Sequence, residues 1–487
     1  MIEINNVSFS YENAANGAAI RDVQAQIPKG QVVLLCGESG SGKTTFSRLI
    51  NGLIPAYYEG ELSGHIHVAG KDTAEIELYE LAPYVGSVFQ NPKSQFYTLL
   101  TDTEIVFACE NLGLDRGDIL SRFEKTVTAL HLEKLLGKSL FALSGGEKQK
   151  IACASVCALM PDIFVLDEPT SNLDIGTIRD MQAILMDWKR QGKTIIIAEH
   201  RLAWLCGIAD RVLYFQAGEI ALDIAAERFW ALPVDEFHRM GLRTFCEFSP
   251  AAKLGQIDSG NLELFGFRYE QKNEIILDIP QLSIPKGAIV AVLGNNGAGK
   301  TTFARSLCGL IKKAKGMLCF DGKEYAPKQH MGLCYMVMQD VNHQLFSESV
   351  LDEAVLGIKA LPESREAMAE QVLSDLDLLD CKDAHPMSLS GGQRQRVAIA
   401  GAITSHKEII IFDEPTSGLD YRHMQEVASS IRKLSDMGKT QFVITHDPDL
   451  VAACCNYFVF MEAGKVVCSG YWNEANQKYI ADYFGGL

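Results

Sequence analysis

No apolar run in the 487 residues is long enough to cross a bilayer. A spanning helix needs about 20 consecutive apolar residues, and the longest candidate, Ile151 to Leu166, is interrupted by Pro161 and Asp162. The chain is therefore not expected to form a pore itself. Its first residues, Met1-Ile2-Glu3-Ile4-Asn5-Asn6, show no basic stretch followed by an apolar one, so no secretory signal is expected and a cytoplasmic location is. Basic residues are in deficit, 45 Lys and Arg against 61 Asp and Glu. The net charge of −16 repels a phosphate backbone and argues against nucleic acid as the main partner. The 13 cysteines include no Cys-x-x-Cys pair, since Cys153 and Cys157 are four apart and Cys454 and Cys455 are adjacent. That spacing speaks against a zinc frame and assigns the cysteines to packing.

What is present is ordinary globular material: 47% hydrophobic and 22% charged residues exclude a disordered or low-complexity chain. The length exceeds one core, because domains cluster near roughly 100 to 200 residues. Self-similarity explains the excess. Ile27-Pro28-Lys29-Gly30 returns as Ile284-Pro285-Lys286-Gly287, at an offset of 257. The same offset relates Gly37-Glu38-Ser39-Gly40-Ser41-Gly42-Lys43-Thr44-Thr45 to Gly294-Asn295-Asn296-Gly297-Ala298-Gly299-Lys300-Thr301-Thr302. Three later pairs, Ser144 and Ser390, Asp167 and Asp413, His200 and His446, lie 246 apart. Two copies of one domain are expected, residues 1–241 and 259–487, with 242–258 as linker around Ser249-Pro250. In each copy apolar runs alternate with helical patterns: Gln31 to Cys36, Ile163 to Leu166 and Thr194 to Ala198, then Ala288 to Leu293, Ile409 to Phe412 and Gln441 to Thr445. Continuous apolar strands suit a buried, largely parallel sheet, and the class is α/β.

Each Gly-x-x-x-x-Gly-Lys-Thr follows a strand and opens a helix, the setting in which this pattern is a phosphate-binding loop. Glycines let backbone N–H groups converge on phosphate oxygens, and the helix start adds its dipole. Lys43 and Lys300 are expected to reach the β and γ phosphates, and the Thr44 and Thr301 hydroxyls to ligate Mg²⁺. Asp167-Glu168 and Asp413-Glu414 end buried strands, where ligand crevices of open α/β sheets lie. There Asp167 and Asp413 are expected to hold Mg²⁺ through water, while Glu168 and Glu414 polarise the attacking water as general bases.

Leu143-Ser144-Gly145-Gly146-Glu147 and Leu389-Ser390-Gly391-Gly392-Gln393, each with its serine 23 residues before the strand aspartate, resemble the signature motif of ATP-binding-cassette (ABC) ATPases. The resemblance spans nearly the whole chain and implies two tandem cassettes, each with a sheet core and a helical subdomain, using ATP and Mg²⁺. It implies Q-loop roles for Gln90 and Gln339, including a share in the metal site. Ser171-Asn172-Leu173-Asp174 and Ser417-Gly418-Leu419-Asp420 resemble the D-loop, and His200 and His446 the switch histidine. Tyr11 and Tyr269 match the aromatic that stacks on adenine. Family members close two cassettes head to tail, which implies that each nucleotide is completed by the other copy's signature residues, Ser144, Gly145 and Gly146 or Ser390, Gly391 and Gly392, here within one chain. Glu147 and Lys150 stand where the second copy has Gln393 and Arg396, so the two pockets are expected to differ in charge and equal turnover is in doubt.

Importers, exporters and soluble translation or repair factors can all carry two cassettes. The expected linker is short and without a basic run, unlike the soluble factors, and the membrane helices usual in exporters are missing, so separate membrane subunits are implied. Asn91-Pro92-Lys93-Ser94-Gln95-Phe96 followed by Thr103-Glu104-Ile105-Val106-Phe107-Ala108-Cys109-Glu110-Asn111, Asn342-His343-Gln344-Leu345-Phe346 followed by Leu351-Asp352-Glu353-Ala354-Val355, and Ala198-Glu199-His200-Arg201-Leu202 are similar to the energy-coupling factor importers of vitamins and metal ions. That resemblance implies a polytopic scaffold subunit and a membrane-embedded substrate-binding subunit as partners, and a place on the cytoplasmic face of a prokaryotic membrane. Phe96 with Tyr97, and Leu345 with Phe346, are expected to form the docking surface. The alternatives are a soluble twin-cassette ATPase acting on ribosomes or DNA, and the ATPase of another transporter class.

Overall fold

Two patterns of burial separate two kinds of strand. Along Ile2–Tyr11 buried and exposed residues largely alternate, as befits a sheet with one solvated face, whereas every residue of Val32–Gly37 and of Thr194–Ala198 is buried. The computed structural model, which describes residues 1–12, 19–171, 173–243, 260–356, 362–389 and 391–484, builds a separate sheet from each kind. The chain divides into two compact units, Met1–Phe245 and Cys246–Gly486; of the expected linker, residues 244–258 lie outside the described residues.

In the first unit the six-stranded sheet runs Glu219–Ala225, Arg211–Gln216, Val32–Gly37, Thr194–Ala198, Ile163–Asp167, Val85–Val88. Its last five strands are parallel and Glu219–Ala225 pairs antiparallel at the edge. The second unit repeats this order with Lys465–Tyr471, Tyr457–Glu462, Ile289–Leu293, Thr440–Ile444, Ile409–Asp413 and Cys334–Val337. The expected α/β class holds and the six expected strands are present within a residue or so at each end. A largely parallel core describes only part of each unit, because a four-stranded antiparallel sheet is added. In the first unit it is Ile20–Ile27, Ile2–Tyr11, Gly60–Val68, Lys71–Asp72, and in the second Glu274–Pro285, Asn261–Gln271, Lys315–Phe320, Lys323–Tyr325.

Between the two sheets of the first unit, Ile4, Phe9, Leu35, Phe46 and Phe215 form one buried cluster. The opposite face of its parallel sheet carries Ile175–Arg190, a helix capped by Asp174, whose side chain accepts from Thr177 N. Ile178, Met181, Leu185 and Trp188 recur at three- or four-residue spacing and are buried. Trp188 stacks on Phe164 of the strand Ile163–Asp167, with ring centroids 3.7 Å apart. Truncating Phe164 to alanine would cost about 3–5 kcal/mol through the cavity left behind. Thr101–Asn111, Arg116–Leu130 and Gly145–Cys157 form the helical layer, packed on that face through Ile105, Cys109, Val127 and Ile151. Most of the described cysteines are buried or half-buried, as a packing role requires. Cys206 is exposed and is the exception, and Cys246 lies outside the described residues.

Candidate active site

Gly37-Glu38-Ser39-Gly40-Ser41-Gly42 joins the strand Val32–Gly37 to the helix Lys43–Ile50, and the sequence dictates the path. Gly40 sits at φ 78° and Gly297 at φ 80°, where a Cβ is disfavoured. A Cβ on Gly37 would lie 2.3 Å from the Phe215 carbonyl oxygen. The Lys43 ammonium donates to the carbonyls of Gly37 at 2.9 Å and Glu38 at 2.8 Å, which folds the side chain back over the loop. Lys300 does the same to Gly294 at 2.6 Å and Asn295 at 3.0 Å. Ser41 Oγ is buried without a hydrogen-bond partner. An orphaned buried hydroxyl beside a loop that curls around a lysine fits an oxyanion as its partner.

Thr44 and Thr301, in the first turn of each helix, donate to Asp167 at 3.2 Å and Asp413 at 3.4 Å. The hydroxyl and carboxylate oxygens expected to hold Mg²⁺ therefore converge in both units, and hard oxygen donors are the set that ion takes. Burial, then the neighbouring Glu168 charge, pushes the Asp167 carboxyl up to about 6. Burial also raises Asp413.

Glu168 is held at φ 44° and Glu414 at φ 51°, a left-handed backbone rare for glutamate. Each is fixed by an N–H bond to the neighbouring strand, to Ala198 O and Ile444 O. The turn lifts the carboxylate off the strand end. Gln90 Nε2 donates to Glu168 Oε2 at 2.7 Å, and His200 Nε2 lies 3.3 Å from Oε1. In the second unit His446 Nε2 lies 3.6 Å from Glu414 Oε1 and 3.2 Å from Lys300 Nζ. Tyr11 is half-buried, its hydroxyl accepting from Arg48 at 2.9 Å and 3.2 Å from Thr45 Oγ1, its ring braced edge-on by Phe9 and Tyr58. Tyr269 packs against the core of its unit.

The signature segment of the first unit begins with a helix cap. Ser144 Oγ accepts from Glu147 N at 3.3 Å, and Glu147 accepts from Ser144 N at 2.8 Å. A Cβ on Gly146 would sit 2.6 Å from Thr177 Oγ1, and Gly392 faces the His423 ring. Gly145 and Gly391 open their helices, while Ser390 and Asn172 lie outside the described residues. Lys150 and Arg396 carry equal charge and add nothing to the contrast expected at this segment; Lys150 pairs with Asp180 at 2.6 Å and Arg396 with Glu426. Each cation is matched within its own unit. Glu147 against Gln393 remains.

Several residues of the site stood in or beside the quoted segments without a role of their own. Thr170 donates to Glu199 Oε2 at 2.8 Å, whereas Thr416 donates to Asp447 at 2.6 Å, so the carboxylate precedes the histidine in one unit and follows it in the other. Gln95 and Gln344 bond the preceding strand's backbone at Ser87 and Met336 and accept from Phe89 and Met338. Glu104 and Glu353, both buried, accept the backbone N–H groups of Tyr97 and Thr98, and of Phe346 and Ser347. Their recurrence at one offset of 249 was the available signal. These bonds divide the expected docking residues: Tyr97 and Phe346 are 76% and 79% exposed, whereas Leu345 is buried and Phe96 packs against the core. Leu345 is thus corrected to a core residue, and Phe96, half-buried, turns towards the core beside it.

The family model described as "ABC transporter" matches residues 20–171 and 277–417. A Treponema denticola protein named "Putative ABC transporter ATP-binding protein" is 46% identical over 475 residues, covering 96% of each chain. A Methanosarcina mazei protein of the same name is 32% identical, over 96% of this chain and 89% of that one. Among solved structures, "RNase-L Inhibitor" aligns over 98% of this chain and 92% of its own with a TM-score of 0.65 at 22% identity. At that identity the likeness is one of fold.

Proposed function

The chain belongs to the ATP-binding-cassette family of ATPases, and within it we propose that it powers an importer of the energy-coupling factor kind, driving uptake of a vitamin or metal ion through separate membrane subunits. Family members use ATP with Mg²⁺, and the convergent Thr44 and Asp167 oxygens, with Thr301 and Asp413, fit the ion. When bound, Mg²⁺ neutralises phosphate charge. The chain's own groups do the rest. The glycine-loop N–H groups and Lys43 or Lys300 cradle the phosphates, and Tyr11 and Tyr269 offer a ring face to adenine. Glu168 and Glu414 accept a proton from the attacking water, which Gln90 and Gln339 help to place, and His200 and His446 steady the terminal phosphate.

The observation that carries the importer reading is the exposed aromatic that follows each Q-loop. Tyr97 and Phe346 occupy equivalent places, and in each unit a buried glutamate fixes the backbone behind the ring. An exposed aromatic held rigidly is a surface made for an apolar partner helix. The relatives' names, as ABC transporter ATP-binding proteins, support a transport role without distinguishing importer from exporter. The test is affinity purification of the tagged chain from detergent-solubilised membranes, followed by reconstitution with the recovered subunits. The proposal expects a polytopic membrane protein whose retention falls in the Tyr97→Ala, Phe346→Ala double variant and which makes ATP hydrolysis substrate-dependent in proteoliposomes. Recovery of ribosomes or DNA-repair proteins instead would replace it by the soluble reading.

A further inference from the structure

The final described helix, Glu474–Phe484, reaches the second site. Tyr483 is packed edge-to-face on Phe460 of the strand Tyr457–Glu462, with centroids 5.1 Å apart, and lies against Phe484. Its hydroxyl stands 3.3 Å from Nδ1 of His446, a histidine only 5% exposed. On the other side of the imidazole, Nε2 is 3.2 Å from Lys300 Nζ. An ammonium can only donate, so with Lys300 as its partner Nε2 accepts and the ring proton sits on Nδ1, facing the Tyr483 oxygen, while Glu414 Oε1, 3.6 Å from the same Nε2, favours the opposite tautomer. To steady a phosphate oxygen, which only accepts, a neutral His446 must carry its proton on Nε2 instead. Nδ1 then becomes an acceptor. A hydroxyl is both donor and acceptor, so Tyr483 can serve either tautomer without moving.

We propose that Tyr483 is a positioning residue for His446, orienting the ring and supporting the change of tautomer that nucleotide contact demands. At the 246-residue offset that relates the two histidines, the first unit has Phe237. It packs edge-to-face on Phe229 and carries no hydroxyl. On the strand of that unit, the Tyr214 hydroxyl donates to Met240 O at 3.1 Å.

The inference rests on His446 acting on the nucleotide, so its test separates the two claims. In full-length protein carrying Glu168→Gln, so that turnover reports mainly the second site, Tyr483→Phe keeps the ring and removes the hydroxyl. The proposal expects kcat to fall roughly tenfold relative to that background with KM for ATP unchanged, the scale of one lost orienting hydrogen bond. Spectra of ¹⁵N-histidine-labelled protein with Mg²⁺ and a non-hydrolysable ATP analogue are expected to show the Nε2–H tautomer of His446 in the parent and a mixture in the variant. An unchanged kcat and tautomer, with or without a lower melting temperature, would reduce Tyr483 to packing and overturn the proposal. Turnover retained in His446→Ala with Tyr483 intact would instead overturn the underlying role of the histidine.

Discussion

Gln90 and Glu168, 78 residues apart, meet through a 2.7 Å hydrogen bond from the amide to the carboxylate. With His200 3.3 Å from the other oxygen, the carboxylate is clasped by a loop and by the end of a neighbouring strand. Burial alone would raise its pKa. The His200, Lys43 and Gln90 interactions together outweigh that and hold it below the ordinary carboxylate range. Glu168 is therefore ionised at neutral pH and able to accept a proton.

Lysines folded back on their loop carbonyls anticipate phosphate oxygens taking over part of the ammonium's bonding. Lys43→Ala and Lys300→Ala are each expected to remove one Mg-ATP site in titration calorimetry, and the double variant to bind none. Two intact sites in the double variant would contradict the assignment.

Glu199 supplies a pH signature. Its carboxyl is 1% exposed, and burial, with Glu168 next, pushes it from 4.5 up to about 7. Between those values the folded chain holds a proton that the unfolded chain has released, so stability falls as pH rises through that window and the deficit is complete above it. Glu199→Gln keeps partners for Thr170, His200 and Arg201 while removing the charge. Its melting temperature should exceed the parent's near pH 8, with the two curves converging towards about pH 5. A difference independent of pH would contradict this.

Neighbouring aromatics should part company on truncation. Phe96→Ala opens space against the core and is expected to cost about 2–4 kcal/mol in denaturant unfolding. Tyr97→Ala loses only its stack on Phe107, whose centroid is 5.2 Å away, and should cost no more than about 1 kcal/mol. Equal losses would contradict the inward and outward assignment.

The sequence displayed what is read along one segment: two glycine loops, two Asp-Glu strand ends and two histidines, each at a spacing that the parallel sheet requires. It did not display what depends on which way a side chain turns after the chain has folded. Phe96 and Tyr97 are adjacent and equally aromatic, and only the Glu104 carboxylate beneath the backbone sends one inward and the other out. The antiparallel sheet was hidden by a short, half-polar alternation along Ile2–Tyr11 that carries less signal than a continuous apolar run. Tyr483 was invisible for another reason, since its partner His446 lies 37 residues away on a separate element.

Turnover by the Glu168→Gln, Glu414→Gln double variant tests the account most directly. The substitution preserves size and hydrogen bonding but removes the proton acceptor. Two equivalents of Mg-ATP should still bind, while steady-state hydrolysis falls by about 10²–10⁴. Hydrolysis at the parent rate with both sites filled would contradict the assignment of these carboxylates as the bases of an ABC-type ATPase.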